Sequence, residues 1–329
     1  MTSVLMTAAL LVVAFCVLTS VTLVPLADRL VERARPSTVV PLLAVGSLCN
    51  AAALGLLLTL LGLAVAGRLP EIAAAAGWST SRLETALPVP AVAGVLAGAA
   101  AAVLLARTLW RVGTILVLLM RSDQLSRRLR AGGSPIVFVD TDRAQADAYT
   151  LAGAKGCVVI SRQLFDALGP REQQMLIGHE LSHLRRRHHL YVHAVDLAAA
   201  ANPTLRRVAA AVRLGVERWA DEDAAAMMAG DRTAAATALA TTALTRSALR
   251  RGETSRAKHR PRAVPVLGVA TSHVTQRAQA LLSPTPGRSA LAAWVAVLLI
   301  AMVVATLATT AQIHDGFEHA EILRRIIKR

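Results

Sequence analysis

Four runs of this chain, at about 3–26, 39–67, 90–110 and 290–310, are so long and apolar that a bilayer is their natural solvent. A helix needs about 20 residues to cross the hydrocarbon layer. Inside lipid every backbone N–H and C=O must be satisfied within the segment, so each run is expected as a helix. The third reads AVAGVLAGAAAAVLLA before Arg107, and the fourth ALAAWVAVLLIAMVVATLATT. The first has no basic leading segment and no small-residue cleavage site, and its apolar core is too long for a signal peptide. It is read as a retained helix. Arg107 and Arg111 lie one turn apart and precede a second apolar stretch, VGTILVLLM. The helix is read as leaving the membrane at Arg107 and continuing as a stalk.

Composition and charge agree with a chain partly embedded and partly in water. Hydrophobic residues make up 54% and mean hydropathy is +0.50, too apolar for an ordinary soluble domain. The net charge of +15 follows from the positive-inside bias of membrane proteins, so direct nucleic-acid binding is not expected. The loops ADRLVERARPS and RSDQLSRRLR are basic, whereas RLPEIAAAAGWSTSRLETALPVP is balanced. Basic loops stay in the cytoplasm, which puts the amino terminus outside and the segment between the third and fourth runs inside. The basic tail ILRRIIKR, placed outside by this topology, is the one feature at odds with it. Abundant alanine and arginine beside scarce lysine suit a GC-rich bacterial genome, hence a multi-pass protein of the bacterial cytoplasmic membrane. The three cysteines show no paired spacing, which argues against a disulfide framework or a cysteine zinc site.

Three regions follow. Residues 1–120 hold three transmembrane helices and the stalk, 121–288 a cytoplasmic domain, and 289–329 the fourth helix and a short tail. The inserted domain opens with β-type runs, PIVFVD, AYTLAG and CVVISRQL, punctuated by glycines. A helix is predicted from Pro170, where Pro170 and Glu172 suit a helix start. Thr233 to Leu249 reads as a packing helix, and Arg250 to Pro265 as a basic loop.

The chemistry lies in GHELSHLRRRHHL. His179 and His183 are four residues apart, so on a helix both imidazoles face one way and can grip one metal ion. Glu180 is offset by about 100°, which sets it beside the ion as a base for water rather than as a ligand. Zinc (Zn2+) suits such a set because it takes His and carboxylate ligands and tolerates an open position. A third ligand is then needed, and GVERWADEDAAA offers one. Glu217 completes a His₂Glu set, and Asp221, one turn on, is placed to hold a ligating histidine by its other nitrogen. His189 and His193 lie too far along to share that ion. Arg185 to Arg187 read as a solvated or lipid-headgroup face. Trp110 and Trp294 suit membrane anchoring.

HELSHLRRRH followed by VERWADEDAA resembles the membrane zinc metallopeptidases of the BlaR/MecR antibiotic sensor-transducer type, and more distantly the HtpX and Ste24 proteases. The resemblance extends to the upstream strands and to a protease inserted before the last membrane helix. The short connection between His183 and Glu217 fits the BlaR/MecR type better. It implies a membrane α-helical protein with four transmembrane helices and an inserted cytoplasmic α+β zincin-like metalloprotease domain. It also implies zinc ligands His179, His183 and Glu217, Glu180 as general base, and Asp221 behind a histidine. The expected substrate is a regulatory protein such as a DNA-binding repressor. The tail after the fourth run has fewer than twenty residues, so no fused penicillin-binding sensor is expected, and the resemblance leaves the involvement of β-lactams open. No oxyanion-stabilising residue is singled out among His188, His193 and Arg213. An HtpX-like quality-control protease and a non-catalytic membrane receptor or scaffold with a degenerate metal site are the alternatives.

Overall fold

The computed structural model describes residues 22–77, 79–130, 133–140, 147–254, 267–284, 287 and 290–327. A helix over residues 22–33 (α1) leads into α2 (Pro36–Ala66), two short helices α3 (Pro70–Ala76) and α4 (Thr80–Ala86), and the long α5 (Ala91–Leu129). Strands β1 (Ile136–Val139), β2 (Ala148–Leu151) and β3 (Cys157–Ser161) follow, then α6 (Arg162–Asp166), α7 (Pro170–Arg185) and α8 (His188–Ala201). A 3₁₀ turn, Pro203–Leu205, joins α8 to α9 (Arg206–Met227). The described chain closes with α10 (Arg232–Thr254), α11 (Leu267–Leu282) and α12 (Ala290–Ile327).

Among the described residues, α2 and α5 are long and apolar enough to cross a membrane, and α12 carries a shorter apolar stretch, Ala292–Ala308. Most of the first expected crossing, residues 3–21, lies outside the described residues. The α5 helix does continue unbroken past Arg107 to Leu129, as the stalk requires. Trp110 and Trp294 are both well exposed, at 77% and 67%.

Three glycines let α2 and α5 pack closely. Gly62 faces Gly98 and Val65 faces Gly94, so the helices run antiparallel. A Cβ on Gly62 would stand 2.7 Å from the Gly98 Cα. Small residues of this kind let helix backbones approach where no hydrophobic effect drives them together.

The sheet has the order β1-β3-β2, with β3 parallel to β1 and antiparallel to β2. Every residue of β3 is buried, as a central strand covered on both faces requires. This leaves β2 as an edge. Helix α7 packs against it, and the Thr150 hydroxyl lies within hydrogen-bonding reach of the Glu180 carbonyl at 3.0 Å.

The main core runs across the expected boundary at residue 120. Leu30 of α1 and Val39, Val40 and Leu43 of α2 form one buried cluster with Val195 of α8 and Val208, Val212 and Val216 of α9. The half of α2 nearest its start is therefore part of the same folded body as the inserted domain. Two polar ties fasten α2 and α5 to that body. Asn202 donates to Asn50 in the middle of α2 at 2.9 Å, fully buried. Arg111 of α5 and Arg213 of α9 both pair with Asp196 of α8. The Arg111 charge is thus neutralised within the protein rather than turned to lipid.

The segment expected as a loop from Arg250 is helical through Thr254, because α10 continues there; residues 255–266 lie outside the described residues. Leucine in place of Gly62 should overpack the α2–α5 crossing and cost about 1–3 kcal/mol. Thermal unfolding in detergent checks this, with Gly55→Leu, on the same helix but with open space at its Cβ, expected to leave the midpoint in place.

Candidate metal centre

Pro170 opens α7 at the first helical position, where its missing N–H is no loss, and Glu172 sits in the first turn facing the positive helix end. From there 3.6-residue periodicity carries His179 and His183 onto one face. Gly178 brings that face against α9: a Cβ there would meet the Ala224 Cα at 3.1 Å. The close crossing puts His179 Nδ1 2.9 Å from Asp221 Oδ1. One turn earlier on α9, Glu217 reaches the other side of the same imidazole, its Oε2 3.5 Å from His179 Nε2 and its Oε1 3.6 Å from His183 Nε2.

One ligand atom from each of His179, His183 and Glu217 lies within 4.8 Å of the others. The two Nε2 atoms are 3.1 Å apart. Ligands about 2.05 Å from a tetrahedral zinc stand roughly 3.3 Å from one another, so these spacings fit one such ion. The chemistry fits as well. Asp221 takes the Nδ1–H of His179, so Nε2 is the nitrogen turned toward the other two donors and is free to bind once it loses its proton.

Further side chains hold these donors in place, and two of them, Arg277 and His188, have no signature in the sequence that assigns them this part. Arg277 of α11 donates through Nε and Nη2 to both oxygens of Asp221, each at 2.7 Å, and Nη1 lies 2.9 Å from Glu217 Oε2. Its own helix is placed by Arg232, which pairs with Glu222 of α9 and donates to the Leu281 and Ala280 carbonyls at the end of α11. The second is His188, whose Nδ1 is 3.0 Å from His183 Nδ1. It is 1% exposed, supports His183 from behind, and also borders the cleft, where its Nε2 has no hydrogen-bond partner among the described residues.

His188 reaches that place because the helix breaks. Arg187 adopts φ +52°, a left-handed conformation that a non-glycine residue takes up only under constraint. This ends α7 and starts α8 in a new direction. Arg186 is then not a free surface charge: its Nε pairs with Asp223 at 3.0 Å and its guanidinium lies over the Trp219 ring. Of the other residues considered for the oxyanion, Arg213 is engaged with Asp196, whereas His193 lines the cleft.

Burial penalises protonation of His179, but hydrogen bonds to Asp221 and Glu217 outweigh it and push the imidazole up to about 9. Burial and the neighbouring His179 charge push His183 down to about 4. Burial opposes the charge of Glu217, yet its hydrogen bond to His179 and the nearby Arg277 hold the carboxyl well below its ordinary range. At neutral pH, one proton therefore occupies the donor set, on His179.

Beside the donors, Glu180 is 7% exposed and its Oε2 lies 2.9 Å from the Thr150 hydroxyl. His179, Glu180, His183 and Glu217 border one cleft of about 480 Å³. Its walls come from β2 (Tyr149, Thr150), α8 (Val192, His193) and α10 (Leu239, Arg246).

Residues 118–258 match the model of peptidase family M48, a segment that contains the three donors and Glu180 but ends before Arg277. The match points to a metal-dependent peptidase. No curated protein and no solved structure matched the chain.

Two outcomes follow. Because only His179 must lose a proton, binding of one zinc ion at pH 7 should release about one proton, and affinity should rise roughly tenfold per pH unit until about pH 9. Calorimetry in buffers of different ionisation enthalpy reads the proton count. Replacing Arg277 by Gln leaves Asp221 and Glu217 without their counter-charge and should weaken zinc binding by about 10–100-fold, measured against a competing chelator.

Proposed function

We propose that this protein is a membrane-anchored, zinc-dependent endopeptidase. The convergence of His179, His183 and Glu217 at the floor of a cleft that also holds Glu180 carries the reading. A divalent ion in that donor set supplies Lewis acidity, polarising a peptide carbonyl and making water acidic enough to lose a proton near neutral pH. His179, His183 and Glu217 are the residues that would hold it, and a three-ligand set leaves a position open.

The protein's own groups do the rest. Glu180 follows His179 on α7 but is turned about 100° away, so its carboxylate stays out of the donor set. The Thr150 hydroxyl fixes Oε2. From there Glu180 takes the proton of the attacking water and delivers it to the leaving amine. Asp221 keeps His179 in the tautomer the site needs, and Arg277 keeps Asp221 and Glu217 charged and in place. An extended substrate is best received along β2, whose outer edge is unpaired within the sheet and whose Tyr149, Thr150 and neighbouring Ala152 line the cleft.

The finer reading rests on the resemblance to BlaR/MecR-type proteins: a domain on the cytoplasmic side of a bacterial membrane, cutting a regulatory protein such as a repressor in signal transduction. The shared core of α2, α8 and α9 supports a site held close to the bilayer.

The deciding comparison is wild type against Glu180→Gln, both purified full-length in detergent. The variant should keep zinc, counted by elemental analysis, and lose cleavage of casein by at least about a hundredfold. Equal cleavage by both proteins would remove Glu180 from its role. Proteomes of cells carrying each form would then name the substrate.

A further inference from the structure

We propose that the α10 wall of the cleft is a carboxylate-binding subsite built by Arg246 and Thr242, selecting substrates with an acidic group on that side of the cut bond. This rests on the peptidase reading and adds its specificity.

Helix α10 turns Leu239, Thr242, Ala243 and Arg246 into the cleft, the spacing of one helical face. Two polar atoms on that face lack a hydrogen bond. Thr242 is 7% exposed, and among the described residues its Oγ1 has no partner. A helical threonine normally satisfies its hydroxyl on the carbonyl one turn back, as Thr237 does on Thr233 at 3.0 Å. Arg246 Nε is also buried without a hydrogen bond. Asp147 Oδ1 is 3.2 Å away, close enough to attract the charge but without hydrogen-bond alignment, and that oxygen already accepts the Ala148 N–H at 2.9 Å. Buried donors left unmade in a substrate cleft are groups that a ligand satisfies.

The ligand's charge follows from the cleft. Its described cationic side chains are Arg246 and Arg277, apart from the histidines, and Arg277 is bound to Asp221 and Glu217. Arg246, which faces Asp147 alone and without an aligned hydrogen bond, is therefore the cation with donors to spare for a substrate. Across the cleft, α8 presents Val192, His189 and His193, with no fixed charge. A guanidinium and a hydroxyl one turn apart match the two oxygens of a carboxylate, supplied by an aspartate or glutamate side chain or by a chain terminus.

The test uses zinc-loaded full-length protein in nanodiscs and peptides that differ only in Glu, Gln or Lys at each position flanking the cut bond, with free or amidated ends. Wild type should favour Glu over Gln by about tenfold at one position. A preference for the free over the amidated end instead would identify the terminal carboxylate as the ligand. The preference should vanish in Arg246→Gln, persist in part in Arg246→Lys, and turn toward Lys in Arg246→Glu. Peptide binding to Glu180→Gln protein, read by fluorescence anisotropy, should show the same ranking without cleavage. Absence of any carboxylate preference, or one unchanged in Arg246→Gln protein of normal zinc content, overturns the subsite. Failure of wild type to cut any peptide while the binding ranking persists counts against the peptidase reading instead.

Discussion

Asp221 is 1% exposed and charged, and the centre depends on how that charge is balanced. A buried carboxylate is costly unless its oxygens are paired. Here His179 takes one oxygen and Arg277 takes both, and Arg277 also reaches Glu217. The network joins α7, α9 and α11 through one knot of opposite charges. Because each member is held by a partner, the three donors already stand near the spacing that one metal ion demands. Removing any one would leave an uncompensated charge inside the protein.

The centre is also tied to the helices read as membrane spans. The core that supports α9 is made in large part by α1 and the first half of α2. The buried Asn50–Asn202 bond and the half-exposed Arg111–Asp196–Arg213 cluster fix α8 and α9 to α2 and α5 by polar contacts. The buried asparagine pair has few alternative partners, so it specifies register more than it adds stability. On the proposed reading, the cleft cannot drift far from the bilayer.

Much of this was legible because local rules suffice. The α2 run, the start of α7 at Pro170 and the three strands follow from hydropathy, period and punctuation. The four-residue spacings of His179 with His183 and of Glu217 with Asp221 each need only a helix to put two groups on one face. Less legible was where each helix stops. No glycine or proline marks the break at Arg187, so the HLRRRHH stretch reads as one continuous helix. That break is what swings His188 behind His183 and turns Arg186 onto Asp223 and Trp219.

The sequence by itself determined which residues can act as donors, since residue type and helical spacing are properties of the chain and of the α-helix alone. Only the tertiary structure decided that α7 and α9 meet at Gly178 and Ala224, that Arg277 arrives from 56 residues beyond Asp221, and that α2 shares one core with α8 and α9. The reason is physical. Contacts between distant segments are chosen by which surfaces must leave water and which buried charges must be paired together. Neither condition is written in any short stretch of the chain.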